Sequence, residues 1–309
     1  MRPYQHSSVM PEEVLAALRV RPGGCYADGT LGGGGHAAAL LRASAPDGRL
    51  YGCDRDAAAV AAASQRLAEF VGRCELRQAN FSELAGWLPA GGCDGVLLDL
   101  GVSSPQLDWA DRGFSFQHDG PLDMRMDPSR GPTAAELVNE AAPDELARIF
   151  WEWGGERDSR RIARAIERDR QVRRFETTGQ LAGLVQRLNP RRGQRTHPAT
   201  GVFQALRIAV NDELGALRGG LAAALRVLKP GGRLAVITFH SLEDRLVKNF
   251  GNERARDYTF AGAVDVPELR RPKAPELRWV SRKARPPGAA EVAANPRSRS
   301  AQLRVLEKI

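Results

Sequence analysis

The sequence is poor in the features that mark several large protein classes. No apolar run approaches the ~20 residues that cross a bilayer, so a membrane span is not expected. The first residues, Met1-Arg-Pro-Tyr-Gln-His6, carry no apolar stretch of the kind a secretory signal needs. There are only 4 cysteines, Cys25, Cys53, Cys74 and Cys93, and no two form a Cys-x-x-Cys pair. That spacing argues against zinc ligation, and no metal site is expected. Scattered free thiols fit a reducing compartment, so the cytoplasm is the expected location. No internal repeat is visible, which argues against solenoid architectures.

What the chain does hold is length, apolar content and arginine. It has 309 residues, 42% of them hydrophobic, ample for one large domain or two smaller ones. The formal net charge is +8, and it is unevenly spread. Residues 157–195 hold 12 arginines against 4 acids, and residues 270–309 hold 11 basic residues against 3 acids. The remainder is net negative, so the positive charge is concentrated in two stretches. Arginine presents a planar fork that suits phosphates and stacks on bases, so these stretches point to a nucleic-acid partner. Solvated helix faces are the plainer alternative.

From residue 25 to 100, short apolar runs alternate with helical patterns. Cys25–Asp28, Arg49–Asp54, Cys74–Gln78 and Gly95–Leu100 read as strands. Ala37–Arg42 and Ala57–Phe70 between them read as helices. Such alternation predicts a parallel sheet with right-handed crossovers. It stops at about residue 105. Residues 105–200 offer turns and helices, including Pro143–Trp153 and Arg157–Gln171, but no convincing strand. A helix over Leu214–Leu228, a sharp turn at Lys229-Pro-Gly-Gly232, a strand at Gly232–Phe239 and a helix over Leu242–Phe250 then resume the pattern. Gln302–Glu307 reads as a final strand, and the Pro- and Arg-rich Asp265–Pro296 as a long surface loop. The fold class expected is therefore α/β: a Rossmann-like doubly wound sheet interrupted by an all-helical domain. The sheet domain takes residues 1–106 and 205–309, and the insertion takes residues 107–204.

Four features outline a cofactor site. The first strand runs into Asp28-Gly-Thr-Leu-Gly-Gly-Gly-Gly-His36, just before a helix. Glycines let the backbone turn tightly beside a ligand, and the helix start offers free N–H donors. Asp54 ends the second strand, where an acid reads ribose hydroxyls; its plainer role is to cap the next helix. Asn80-Phe81 ends the third strand, where the ring can cover an adenine face and the amide can read its edge. Asp99 closes the fourth strand, in the crevice where open α/β sheets bind ligands. With the Leu228-Lys-Pro-Gly-Gly-Arg-Leu234 segment, the set favours S-adenosylmethionine over a nicotinamide dinucleotide.

A methyl on a sulfonium is already activated, so alignment matters more than strong acid or base. Gly101-Val-Ser103-Ser104-Pro105 offers hydroxyls and carbonyls to the protons of an exocyclic amine, although serines beside proline are also ordinary turn residues. No Pro-Cys follows the fourth strand, which disfavours attack on a pyrimidine ring carbon. Thr238-Phe-His240-Ser-Leu-Glu-Asp244 ends the late strand. There His240 is placed to meet the acceptor base or a phosphate, and Ser241 to cap the following helix.

Longer strings complete the pattern: Leu98-Asp-Leu-Gly-Val-Ser-Ser-Pro-Gln106, Arg112-Gly-Phe-Ser-Phe116, Asp119-Gly-Pro-Leu-Asp-Met-Arg-Met-Asp-Pro128, His197-Pro-Ala-Thr200, Phe203-Gln-Ala-Leu-Arg-Ile208 and Asn295-Pro-Arg-Ser-Arg-Ser300. Along nearly its whole length the chain resembles the bacterial small-subunit ribosomal RNA cytosine-N4 methyltransferases, the MraW (RsmH) family. The resemblance implies methyl transfer from S-adenosylmethionine to N4 of one cytidine in the decoding region. The partner it implies is ribosomal RNA within an assembling or assembled small subunit. It places cofactor contacts on Gly34, Gly35, His36, Asp54, Phe81, Asp99 and Gln106, of which His36 and Gln106 come from the resemblance alone. The residues expected at the chemical step are Asp99, Ser103, Ser104 and His240. The chain departs from the family pattern at Gly33, at Gly201 and along Trp153-Gly-Gly-Glu-Arg157. A dehydrogenase using Gly32, Gly34 and Asp54, an RNA-binding factor without turnover, and methylation of another amine such as adenine N6 are the alternatives.

Overall fold

The computed structural model describes residues 8–190, 197–260 and 265–309. The amino-terminal hexapeptide and the arginines at 191, 192 and 195 lie outside the described residues. In chain order the elements are α1 (Pro11–Leu18), β1 (Cys25–Asp28), α2 (Gly35–Ala43), β2 (Arg49–Asp54), α3 (Ala57–Arg66), β3 (Cys74–Gln78), α4 (Leu84–Trp87) and β4 (Cys93–Asp99). Then come α5 (Ser104–Asp108), α6 (Ala134–Glu140), α7 (Pro143–Glu152), α8 (Ser159–Arg170), α9 (Thr178–Leu188), α10 (Thr200–Asn211) and α11 (Glu213–Val227). The last are β5 (Leu228–Thr238), α12 (Ser241–Ala255), β6 (Tyr258–Phe260), β7 (Arg270–Pro272), β8 (Leu277–Trp279), α13 (Ala289–Ala294) and β9 (Gln302–Lys308). The chain divides into two compact units. One holds the residues up to Gly101 together with Leu214–Ile309, and the other holds Val102–Glu213.

The first unit is built on a seven-stranded sheet of order β3-β2-β1-β4-β5-β9-β8. The first five strands are parallel, while β9 runs antiparallel to β5 and β8 antiparallel to β9. The order reverses between β1 and β4, where doubly wound sheets open a crevice at their carboxyl ends. Side chains alternate across the sheet as a period of two requires. Val96 and Leu98 join Leu217 and Leu221 of α11 on one face, and Leu97 joins Val14 of α1 and Leu40 of α2 on the other. Burying each such leucine contributes about 1.5–3 kcal/mol.

Three local readings need correction. β4 begins at Cys93, two residues before the expected Gly95, because Cys93 pairs with Leu228. Lys229-Pro-Gly-Gly232 does not separate helix from strand: β5 starts at Leu228, and these four residues bulge before pairing resumes at Gly95 and Arg233. Pro230 lacks the N–H a ladder needs and Gly231 sits at φ +79°, which explains the bulge. Asp265–Pro296 is not one surface loop, since it contains β7, β8 and α13. Leu277 of β8 is buried, and the Trp279 indole packs so near Gly251 of α12 that a Cβ there would lie 2.2 Å from it.

The second unit is helical, with no strand among its described residues beyond an isolated bridge from Pro121 to Thr177. Phe150, Ile162, Ile166, Leu181, Val185 and Leu206 are among the side chains of its own core. In α8, Ile162, Ala163, Ala165 and Ile166 are buried while Arg160, Arg161, Arg164 and Arg168 are exposed, the stripe of an amphipathic helix. The Asp119–Pro128 string works as a brace. Asp119 accepts from the Gly179 N–H at 2.7 Å near the start of α9, which holds its carboxyl below the usual range. Met124, buried at φ +62°, is fixed through its carbonyl by the Asn211 amide at 2.7 Å. Among the described residues, no helix is long and apolar enough to cross a membrane.

Candidate cofactor-binding site

β1 delivers Asp28 to the carboxyl edge of the sheet, and the chain turns there within six residues. The Gly29 N–H donates to the Leu97 carbonyl at 3.0 Å, and the Leu31 N–H to Cys53 at 3.1 Å, which pins the turn to both neighbouring strands. Gly34 caps α2 at φ +75°, and a Cβ on it would lie 3.1 Å from the Ala63 backbone. A Cβ on Gly35 would meet Ser8 Oγ at 2.2 Å. Gly34 is thus favoured by its positive φ and the close Ala63 backbone, whereas the Ser8 hydroxyl beside Gly35 can turn away.

The carboxylates around this turn are held rigidly. Asp54 accepts from the Gly32 N–H through Oδ2 and from the Asp56 N–H through Oδ1, both at 2.9 Å. The alternative cap role falls instead to Asp56, which accepts from the Ala58 N–H at 3.0 Å. Burial pushes the Asp54 carboxyl up to about 6, against those two N–H donors. Each oxygen keeps a second lone pair for a hydroxyl donor. Asp28 is fully buried, and its carboxyl is likewise pushed up to about 6 by burial, opposed by His36 and the Thr30 N–H. Thr30 links it to the next strand: its Oγ1 accepts the Asp99 N–H at 2.7 Å and lies 3.4 Å from Asp28 Oδ1.

His36, 4% exposed, sets Nε2 3.4 Å from Asp99 Oδ2. Burial lowers the imidazole, but nearby Asp99, with the charge of Asp28 behind it, outweighs burial and holds it above its usual value. Asp28 Oδ2, His36 Nε2 and Asp99 Oδ1 are buried without a hydrogen-bond partner. Orphaned buried polar atoms are costly, and a bound polar ligand would satisfy them. A site whose buried acids outnumber its one imidazole suits a cationic ligand bearing hydroxyls better than a pyrophosphate. That fits S-adenosylmethionine, with its sulfonium, ammonium and ribose, and speaks against the dinucleotide alternative.

Phe81 follows β3 and is half-buried between two glycines. A Cβ on Gly29 would come within 2.8 Å of it, and one on Gly220 of α11 within 2.2 Å of Cδ2. Asn80 Oδ1 accepts the Ser82 N–H at 3.0 Å, which caps the short turn that carries Phe81. In this unit the structure gathers Gly34, Gly35, His36 and Asp99 around one turn, with Asp54 bonded to that turn through Gly32. Sequence reading missed Asp28 and Thr30. The signal was available, since an acid ending a strand had already singled out Asp54 and Asp99.

His240 stands where β5 meets α12. The cap position expected at Ser241 belongs to His240, one residue earlier. Glu243 Oε2 accepts the Phe239 and His240 N–H groups at 2.8 and 3.2 Å, and its Oε1 lies 3.2 Å from His240 Nε2. Asp244 leaves the edge entirely for a bidentate pair with Arg304 of β9, at 2.6 and 3.0 Å. Ser103, Ser104 and Gln106 belong to the second unit. Ser103 caps α5, and Gln106 Oε1 closes the box by accepting the Ser103 N–H at 3.0 Å.

Residues 3–309 match the model of the MraW methylase family. The chain is 53% identical to a ribosomal RNA small subunit methyltransferase H of Syntrophotalea carbinolica, over 99% of this chain and 98% of that one. It is equally 53% identical to a protein of the same name from Symbiobacterium thermophilum, over 99% and 97%. A third, from Citrifermentans bemidjiense, is 52% identical over the full length of both chains.

Proposed function

The chain belongs to the MraW methylase family, and from that premise we propose that it methylates the exocyclic N4 amine of one cytidine in the decoding region of small-subunit ribosomal RNA. It is a methyltransferase. The observation that carries the cofactor is the set of buried, unpartnered polar atoms of Asp28, His36 and Asp99 beside the glycine turn. The relatives' shared description as small-subunit methyltransferases supports the RNA. The reaction is assigned to the cytoplasm.

S-adenosylmethionine supplies a methyl already activated on sulfur. The chain's part is to bind, align and exclude water. Asp54 accepts from ribose hydroxyls, Phe81 covers the adenine, and the Gly34-Gly35-His36 start of α2 with Gln106 and Asp99 holds the amino-acid end. Ser103 and Ser104, four and five residues along the chain from Asp99, accept from the N–H protons of the amine. That contact would localise the amine's lone pair toward the activated methyl. His240 meets the base or an adjoining phosphate. The amine cannot reach the methyl while its base is stacked, so the cytidine is splayed out. The arginines of residues 157–195 and 270–309 hold phosphates, and the helical unit recognises the RNA.

Incubating the protein with methyl-labelled S-adenosylmethionine and small subunits that lack the modification tests this. Label at N4 of a single decoding-region cytidine, mapped by mass spectrometry of nuclease fragments, is expected. Label elsewhere, or none, refutes the assignment.

A further inference from the structure

Helix α7 turns Leu146, Ile149 and Phe150 into the core of the second unit but leaves Trp151 58% exposed. A bare indole offers a flat apolar face on which another ring can stack. Facing solvent on α8 are Arg160, Arg161, Arg164 and Arg168, neighbours at three- and four-residue spacing, about 5–6 Å apart. Together α7, α8 and the Arg157 turn between them line a cavity of about 1440 Å³ that includes Trp151.

Its charge is one-sided: six arginines line it against three carboxylates. Elsewhere in the unit several exposed arginines find acids, although Arg173 finds none among the described residues. Arg174 pairs with Glu140 at 3.1 Å, and Arg187 with Asp169 at 3.2 Å. By contrast, Arg157, Arg160, Arg161 and Arg164 have no hydrogen bond or ion pair among the described residues. Four unpaired cations beside a bare aromatic ring are the makings of a site for an anion that carries flat apolar rings.

We propose that this groove holds a single-stranded segment of the RNA substrate, with one base stacked on Trp151 and backbone phosphates on the four unpaired arginines. The proposal deepens the RNA-methyltransferase reading and rests on it. A single strand is specified because a duplex hides its base faces, whereas an open strand offers them to an aromatic platform. Arginine rather than lysine supplies all the positive charge lining the groove, which suits bidentate contact with phosphate. A bilayer surface would be met by a projecting apolar patch, not by a concave wall lined with carboxylates as well as arginines.

The test uses the full chain and a labelled octamer of uridines, which forms no duplex, followed by fluorescence anisotropy across a salt series. A hairpin RNA, phosphatidylglycerol vesicles and polyglutamate are the comparison probes. Trp151→Ala is expected to weaken octamer binding about tenfold, and Trp151→Phe to retain most of the affinity. Arg161→Ala with Arg164→Ala is expected to flatten the slope of log affinity against log salt by about 1.4. All three variants should bind S-adenosylmethionine as the parent does, which reports an intact fold. Octamer binding indifferent to Trp151 overturns the proposal, as does preference for the hairpin. Capture by vesicles or polyglutamate that depends on Trp151, in place of the octamer, overturns it too. Failure of methyl transfer with Trp151-dependent octamer binding intact refutes the functional reading and spares the groove; the reverse pattern refutes the groove alone.

Discussion

Gly220 shows how one absent side chain shapes the site. It leaves room for the Phe81 ring, since a Cβ there would lie 2.2 Å from Cδ2. Gly220→Ala should push the ring off its seat and weaken S-adenosylmethionine binding about tenfold, the worth of one aromatic stack. Isothermal titration calorimetry would read this, and an unchanged Kd would count against Phe81 as the adenine cover. Asp54 makes a pH prediction. Its carboxyl is raised to about 6, so in the free protein its proton is retained well above the range usual for an unfolded chain. Stability from this group is therefore present at low pH and lost as pH rises through about 6. Ligand binding runs the other way, because a ribose hydroxyl donates best to the ionised form. Affinity for S-adenosylmethionine should rise about tenfold from pH 5 to pH 7 in the parent and much less in Asp54→Asn. An identical pH profile for the two would remove Asp54 from the site. Residues of this kind were legible because strand ends next to glycine turns mark the crevice. His36 was not, because a histidine after a glycine run carries no period or spacing of its own; only family likeness singled it out. The cap at His240 was misread by one residue because Ser241 is the better cap former, yet Glu243 is placed to accept from the His240 backbone.

Elements were legible in proportion to their length and isolation. β1, β2 and β3 fall at the expected residues: the first two are mostly apolar and close on Asp28 and Asp54, and Cys74-Glu-Leu-Arg-Gln78 alternates apolar with polar residues. β8 was invisible: three residues show no period, and what fixes them is pairing with β9, roughly thirty residues on. The β5–β9 pair carries the element-scale prediction. Arg233 and Glu307 face each other across the two strands, joined at 3.0 Å and each nearly buried, with the Arg233 Nη1 also on the Ala17 carbonyl at 2.8 Å. Arg233→Ala should cost about 2 kcal/mol in chemical denaturation, because it removes the buried partner of Glu307 and leaves that carboxylate only exposed partners such as Arg278. Replacing Arg233 and Glu307 together by methionine should cost far less. Equal losses in the single and double variants would show that the ion pair is not the source.

At the scale of the whole molecule, the positive charge is segregated. Within the second unit it lies on the exposed face of α8, while its second concentration falls in residues 270–309, where Arg282 and Arg299 are exposed. Affinity for substrate RNA should therefore fall steeply with salt, with a log–log slope of roughly −4 if about six phosphates are neutralised. Arg282→Ala with Arg299→Ala should reduce the magnitude of that slope by about 1.4, measured by filter binding. No change would confine RNA contact to other surfaces. Charge clustering was visible in the bare sequence; which arginines are already spent on acids was not, because pairs such as Arg304 with Asp244 join residues far apart in the chain. The sheet order has one more consequence, for how the protein is born. β9 lies between β5 and β8, yet it is translated after the eight other strands of the described residues. Until it emerges, β5 presents a bare row of backbone groups to whatever strand is nearby. The nascent polypeptide therefore passes through a stage in which its central layer is unfinished, and a ribosome stalled before the codons of β9 would leave a sticky, sheet-edged product.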